Sequence, residues 1–343
     1  MRIGIICPAE IAMRRFMPAL QYVSELEFAG VGMYSRAERF AHSAVPREQV
    51  ECIMAREREK VRSFLSLYGG QLYDSYQAVV EADDLAAVYI PLPPALHFIW
   101  AKKALMAGKH VIVEKPATIS VHEADVLLEL ARKHGLVLHE NYMFMFHAQL
   151  KAIAHMLAEG RIGEVRLIRL AFGFPRRAEG DFRYQATLGG GALLDAGGYV
   201  LKYAAHLLGN TARIVSAQMN YVKNVNVDMY GSGMLVNADG LTAQIAFGMD
   251  NEYKCELEVW GSKGTLHTGR VLTAPAGFVP QVTLCCHGQK EVLDLPADDA
   301  FRKSLEHFVI STKDAVKRCK NYDDIKKQAA LVERFCELAG RNS

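Results

Sequence analysis

The sequence predicts an α/β protein in two parts: a parallel sheet flanked by helices, then an α+β part built on an open, mostly antiparallel sheet. Three observations carry this. The first half alternates short apolar runs with amphipathic stretches, and strand–helix–strand repetition implies parallel strands joined by right-handed crossovers. After about residue 145 the pattern changes to long alternating runs separated by tight turns. A chain of 343 residues holds one large domain or two ordinary ones. Two are expected, 1–145 and 146–343.

Taken in order, strands are expected at 2–7, 28–34, 87–90, 110–113 and 136–140. Between the last two, 121–134 is apolar at 121, 124, 127, 128 and 131, the spacing of one helix face. Ligands on such sheets bind at the carboxyl ends of the strands. A helix at 149–159 and a strand near 165–174 follow, then a Gly-rich turn and a helix from about 192. Alternating runs mark strands at 214–222, 228–236, 242–249 and 254–260. Asp239-Gly240 and Gly261-Ser262-Lys263-Gly264 supply turns. The stretch 299–339 reads as helices able to pack on either part. The segment 47–62 carries Glu51, Arg56, Glu57, Arg58, Glu59, Lys60 and Arg62. Its mixed signs suit a solvated helix, with a partner-binding arm as the alternative.

Composition excludes several classes. Lys plus Arg is 40 and Asp plus Glu 38, a net charge of 40 − 38 = +2, so charge gives no reason to expect nucleic acid or an anionic membrane as partner. No run approaches the roughly 20 apolar residues of a membrane span. The N-terminal Ile3, Ile5 and Ile6 suit a buried strand better than a signal peptide, because Glu10, Arg14 and Arg15 follow at once. Seven cysteines with no regular spacing argue against a disulfide framework or a metal site and fit a reducing cytoplasm.

A strand followed by a helix from about Ile11 is the place for a dinucleotide turn. Where that turn usually has glycines this chain has Cys7, Ala9 and Ala12, small enough for close backbone approach, and a helix N-terminus there would supply N–H groups. At the end of the second strand, where an NAD site wants an acid for the ribose 2′-hydroxyl, stand Ser35 and Arg36, with Arg39 beyond. A guanidinium suits a 2′-phosphate, which favours NADP over NAD.

Three signals carry chemistry. Glu114-Lys115-Pro116 follows the strand 110–113, aiming a lysine at the ligand end of the sheet. Gly189-Gly190-Gly191 precedes Asp195 and Tyr199, which share one helix face at i and i+4, with Lys202 and His206 extending it. His206 lies about 16 Å along the axis from Asp195, too far for the same reaction centre, so a core or capping role is expected of it. Asn141 and Tyr142 end the last parallel strand within His139-Glu140-Asn141-Tyr142-Met143-Phe144-Met145-Phe146-His147.

With these residues in place, the chain resembles the Gfo/Idh/MocA oxidoreductases. The likeness rests on Val88-Tyr89-Ile90-Pro91-Leu92-Pro93 with His97, Val113-Glu114-Lys115-Pro116, Glu140-Asn141-Tyr142-Met143-Phe144, the glycine run with Asp195 and Tyr199, and Glu258-Val259-Trp260-Gly261-Ser262-Lys263-Gly264-Thr265-Leu266. It implies a doubly wound Rossmann domain, a C-terminal open-sheet α+β domain, and hydride transfer between a nicotinamide and a sugar carbon. Lys115, Tyr199 and Asp195 fall on the family's catalytic positions. It also implies that Cys7, Ala9, Glu10, Ile11, Ala12, Ser35, Arg36, Arg39, Pro91, Leu92, His97, Glu114, Lys115 and Asn141 line the cofactor, with no metal, and that the open sheet forms a homodimer or homotetramer. Within the family, residues 9–20, 140–144 and 180–184 are most similar to 3-ketoreductases of nucleotide-linked deoxysugars, and Lys202 and Tyr142 are expected at the substrate. Arg14, Arg15, Arg176, Arg177 and Arg183 are candidates for its diphosphate, because forked guanidinium groups suit phosphate oxygens, with Arg183 preferred for its place just before the Gly-rich turn. The chain departs from the family pattern at Cys7, Ala9 and Ala12, at Lys202, where Asp or Asn is expected, and at 47–62, which reads as an insertion.

In the expected reaction Lys115 stabilises charge on a sugar oxygen, Tyr199 supplies the proton and Asp195 orients a hydroxyl or Lys115. Three alternatives remain: an NADP-dependent dehydrogenase of a free sugar, polyol or dihydrodiol; a non-catalytic NADP-binding regulatory protein; and a redox-neutral hydrolase.

Overall fold

Six parallel strands form the first sheet of the computed structural model, which describes residues 1–40 and 45–340. They are β1 (Arg2–Ile5), β2 (Glu27–Gly32), β3 (Gln71–Tyr73), β4 (Ala87–Ile90), β5 (His110–Val113) and β6 (Leu138–Glu140), in the order β3-β2-β1-β4-β5-β6. Ile3, Ile5 and all of β4 are fully buried, as strands covered on both faces must be. The order reverses at β1, which has β2 on one side and β4 on the other. The helices of this part are α1 (Met17–Leu20), α2 (Arg36–Phe40), α3 (Arg47–Tyr68), α4 (Tyr76–Glu81), α5 (Pro94–Met106) and α6 (Val121–His134).

Four of the five apolar positions expected to bury α6, namely Ala124, Leu127, Leu128 and Ala131, do so. Strands β1 and β2 stop two residues earlier than expected, and β6 starts two later. The edge strand β3 escapes sequence reasoning because it is three residues long with two of them exposed. The charged segment 47–62 lies within α3 and is solvated along most of its length, but Met54, Glu57, Val61 and Phe64 are buried.

The second sheet has eight strands: β7 (Val165–Gly173), β8 (Arg213–Tyr221), β9 (Asp228–Val236), β10 (Thr242–Gly248), β11 (Lys254–Gly261), β12 (Gly264–Gly269), β13 (Gln281–Cys286) and β14 (Gln289–Asp294). Their order is β14-β13-β12-β11-β7-β10-β9-β8. Only β7 and β10 pair in parallel. Strands β12 to β14 lie beyond the runs picked out by alternation. The remaining helices are α7 (Ala148–Ala158), α8 (Gly198–Leu208), α9 (Ala300–Lys313) and α10 (Ala315–Leu338). Tyr199, Val200, Tyr203 and Ala204 of α8 share a core with Phe172 of β7 and Ile245 and Phe247 of β10, which leaves α8 on one face of the sheet.

The chain divides into two units. The first takes Met1–Ala117, His122–Asn141 and Ser304–Asp323; the second takes Thr118–Val121, Tyr142–Lys303 and the chain from Asp324 onward. The C-terminal helices are therefore shared out, with Ser304–Asp323 counted in the first unit. No helix among the described residues is long and apolar enough to cross a membrane, and no group of His, Cys, Asp and Glu there could hold a metal.

Candidate active site

In the first unit Lys115 stands two residues beyond β5, at the carboxyl edge of the sheet. A chain of buried polar contacts fixes the segment that carries it. Phe16 stacks on Tyr89 at 3.8 Å, and the Tyr89 hydroxyl donates to Glu114 Oε1 at 2.7 Å. Asn141 Nδ2 donates to the same oxygen at 2.8 Å, while Asn141 Oδ1 accepts from Ser304 at 2.9 Å. Burial pushes the Glu114 carboxyl above its ordinary range, against those two hydrogen bonds. Glu140 Oε1 accepts the Ala117 N–H at 2.9 Å from the other side of the cis Lys115–Pro116 peptide. Glu114, Asn141 and Glu140 thus hold the backbone around Lys115.

His97 is fully buried, with Nδ1 2.7 Å from the Pro116 carbonyl and Nε2 2.6 Å from that of Leu92. Burial pushes its pKa down to about 4 against the pull of both carbonyls, so at neutral pH the ring is uncharged and donates through one nitrogen. The unfolded chain takes up this proton near pH 6.5 and the folded one does not. His97 therefore withdraws stability as pH falls from about 6.5 towards 4, by roughly 1.4 kcal/mol per pH unit. His97→Gln, which stays neutral and keeps an N–H donor, is expected to show a shallower loss of melting temperature over that range. Parallel pH curves for the two proteins would contradict this.

The structure meets the geometric demands of a dinucleotide. The strand order is that of the dinucleotide-binding sheet. The chain turns from β1 through Cys7 to Ala9 and is helical from residue 10 to residue 20, with a wide π-type turn at Ala12–Phe16. Ala12 is fully buried and Ala9 half-buried, so small residues stand in the turn where a dinucleotide would approach the backbone. Glycines stand in β2. A Cβ at Gly32 would lie 2.6 Å from the Ile6 carbonyl, and one at Gly30 2.2 Å from that of Gln71. Cys7 is buried and donates to the Pro91 carbonyl at 3.8 Å, and burial pushes its thiol up to about 12, which makes it a small neutral filler. Glu10 is exposed and pairs with Arg14 at 3.4 Å; Ile11 is half-buried. Pro91 and Leu92, buried, follow β4. Ser35, half-buried, opens the turn into α2, which carries Arg36 and Arg39. These residues would hold the pyrophosphate and adenosine ends.

In the second unit Asp195 sits in a π-type turn, Leu193–Gly197, ahead of α8. Arg183 holds it: Nε donates to Asp195 Oδ2 at 2.5 Å, and Nη1 donates to Asp181 Oδ1 at 3.1 Å. Burial alone would lower the Arg183 pKa, but Asp195 and Asp181 raise it. Arg183, expected at a substrate diphosphate, is thus engaged by two carboxylates. Tyr199 lies in an aromatic box, with ring centres 5.2 Å from Tyr142, 5.5 Å from Phe144 and 5.3 Å from Phe172. The Lys202 ammonium lies 4.9 Å over the Tyr142 ring. Gly198 makes room for this box, since a Cβ there would fall 2.1 Å from the Tyr142 hydroxyl. His206 is exposed and stacks on Tyr203 at 6.2 Å, which corrects the core role expected of it: the last turn of α8 leaves this side chain in water while Tyr199, two turns earlier, is buried.

Sequence reasoning missed Asp228. Its Oδ2 accepts the Leu193 N–H at 2.7 Å, and at Gly191, where φ is +122°, a Cβ would lie 2.3 Å from Oδ1. Gly191 is glycine for both reasons, and Asp228 fixes the turn bearing Asp195. Also unforeseen is an open cavity of about 430 Å³ lined by Arg176, Tyr184, Gln185, Thr187, Asn224 and Asn226 among others.

A family model described as the GFO/IDH/MocA C-terminal domain matches residues 150–267, and one described as an oxidoreductase family with an NAD-binding Rossmann fold matches residues 26–142. The chain belongs to the Gfo/Idh/MocA oxidoreductase family. Among its relatives is a dTDP-3,4-didehydro-2,6-dideoxy-alpha-D-glucose 3-reductase of Actinomadura kijaniata, 38% identical over 97% of this chain and 93% of that protein. A reductase of the same name from Streptomyces antibioticus is 35% identical over 99% of this chain and 97% of its own. The crystal structure of a 3-ketoreductase from Actinomadura kijaniata in complex with NADP and TDP-benzene superposes with a TM-score of 0.86 at 36% identity, covering 97% of this chain and 96% of that one. The Rossmann and open-sheet architecture expected of the family is the one observed, and the protein is an oxidoreductase.

Proposed function

We propose that this protein is an NADP-dependent reductase of a nucleotide-linked deoxysugar, acting on a keto group at C3. The observation that carries the reading is Lys115, held at the carboxyl end of β5 in a chain similar over nearly its whole length to named 3-reductases. The cavity beside Arg176 supports a nucleotide-sized ligand, its volume lying in the range of small-molecule sites. Arg36 and Arg39 support NADP over NAD.

When bound, reduced NADP supplies the hydride. The Lys115 ammonium stabilises the negative charge that grows on the carbonyl oxygen as the carbon is reduced. Tyr199 gives its phenolic proton to that oxygen, completing the hydroxyl, and regains a proton from solvent. Asp195, held by Arg183, accepts from a neighbouring sugar hydroxyl and fixes the ring. Tyr142 and Lys202 flank the sugar. Exposed Tyr221, Tyr230, Trp260 and Val292 on the second sheet supply the surface of a homodimer or homotetramer.

The test is dTDP alone. At about a hundred times its Kd it should add roughly 2.7 kcal/mol of stability and raise the melting temperature by a few degrees, where free hexoses and polyols do not. No shift with dTDP and a clear shift with a free polyol would overturn the nucleotide-sugar reading in favour of a free-sugar dehydrogenase. Stoichiometric NADPH oxidation separates a reductase from a regulator or a redox-neutral hydrolase.

A further inference from the structure

The charged helix α3 has no part in the proposed reaction, yet it places a carboxylate on the cofactor's expected 2′-phosphate site. Arg36 Nη2 donates to Glu51 Oε1, fifteen residues along the chain. The two side chains are 51% and 44% exposed, so the pair is open to exchange. Glu38, the acid nearest the end of β2, is committed elsewhere: its carboxylate accepts the backbone N–H groups of Ser35 at 2.7 Å, Tyr76 at 3.1 Å and Gln77 at 2.9 Å. It is therefore spent on backbone amides rather than on a ribose hydroxyl. Among the described residues of this turn, Arg36 and Arg39 are the cations placed to read the ribose, with the Arg39 guanidinium 5.7 Å over the Tyr34 ring.

The helix that brings Glu51 is fixed to the cofactor domain. The Tyr68 hydroxyl donates to the Met13 carbonyl at 2.9 Å, in the wide turn beyond Ala12, and Phe64 is fully buried 5.8 Å from Phe28 of β2. Glu57, midway along, is 7% exposed and lies 3.5 Å from Lys60. Glu51 is thus presented to Arg36 by a helix anchored in this unit's core.

We propose that Glu51 sets cofactor selectivity, its carboxylate occupying the Arg36 guanidinium that the 2′-phosphate of NADP must take. NADP exchanges one anion for another there, while NAD, which has no 2′-phosphate, leaves the pair intact. A phosphate near neutral pH carries more charge and more acceptor oxygens than a carboxylate, so NADP wins the exchange, at reduced affinity. This inference rests on the NADP assignment above.

The test is direct binding of NADP and NAD, by calorimetry or protein fluorescence, to the wild type, Glu51→Gln, Arg36→Gln and the double variant. Exposed ion pairs correspond to a factor of about two to five. Glu51→Gln should tighten NADP by about that factor and leave NAD unchanged. In the Arg36→Gln background the Glu51→Gln effect should vanish. Unchanged NADP affinity, equal tightening of both cofactors, or an effect that survives without Arg36 would each overturn the proposal. A wild type that binds NADP no more tightly than NAD would overturn the cofactor assignment itself, a result read without any variant and without any sugar.

Discussion

Lys115→Met is expected to lower the rate of sugar reduction by about a hundredfold or more, because the ammonium is the group proposed to meet charge on the carbonyl oxygen. That corresponds to roughly 3 kcal/mol or more of transition-state stabilisation. Methionine keeps the aliphatic stem of Lys115, one atom shorter, and removes the charge. The Tyr89 and Asn141 hydrogen bonds to Glu114 that fix the backbone here are made by other side chains and remain in the variant. Single-turnover NADPH oxidation under saturating substrate isolates the chemical step, and a melting curve of the variant reports its folding. Tyr199→Phe removes the proposed proton donor while leaving the aromatic box intact. If the double variant turns over at a rate near the wild type, both assignments fall.

Arg183→Leu is expected to cost about 2–3 kcal/mol of stability, the range for stripping the partner from a largely buried charge after allowance for its partial exposure. Asp195, its side chain 13% exposed, loses a guanidinium 2.5 Å away, and Asp181 loses its partner too. Asp195→Asn in the Arg183→Leu background should recover part of that loss, because a buried carboxylate that has lost its arginine is replaced by a neutral amide. Denaturant midpoints of the four proteins give the coupling directly. Additive losses would mean that the pair is a surface contact without consequence for the turn that carries Asp195.

Much of the fold was legible because it rests on local periodicity. The apolar spacing of 121–134 fixed α6 to the residue, and the continuous apolar runs at 87–90 and 110–113 are β4 and β5 as expected. What failed had too little local signal. β3 has one buried residue in three, and the π-type turn at Leu193–Gly197 depends on Asp228, thirty-five residues from Leu193. The positions of Lys115, Asp195 and Tyr199 were legible as motifs, but their surroundings were not. A sequence shows no partner for Arg183, whereas folding gives it two carboxylates.

The sequence by itself determined the strand–helix alternation of the first part, the place of Lys115 at a strand end, and membership of the oxidoreductase family, because each is written in short runs of adjacent residues. Only the tertiary structure decided which charges meet. Glu38 turns to the amides of α4, Glu51 reaches Arg36, and Asp228 takes the Leu193 N–H. Such contacts join residues 15 to 39 positions apart, and hydrophobic spacing records which face is buried, not which polar group waits on the other side.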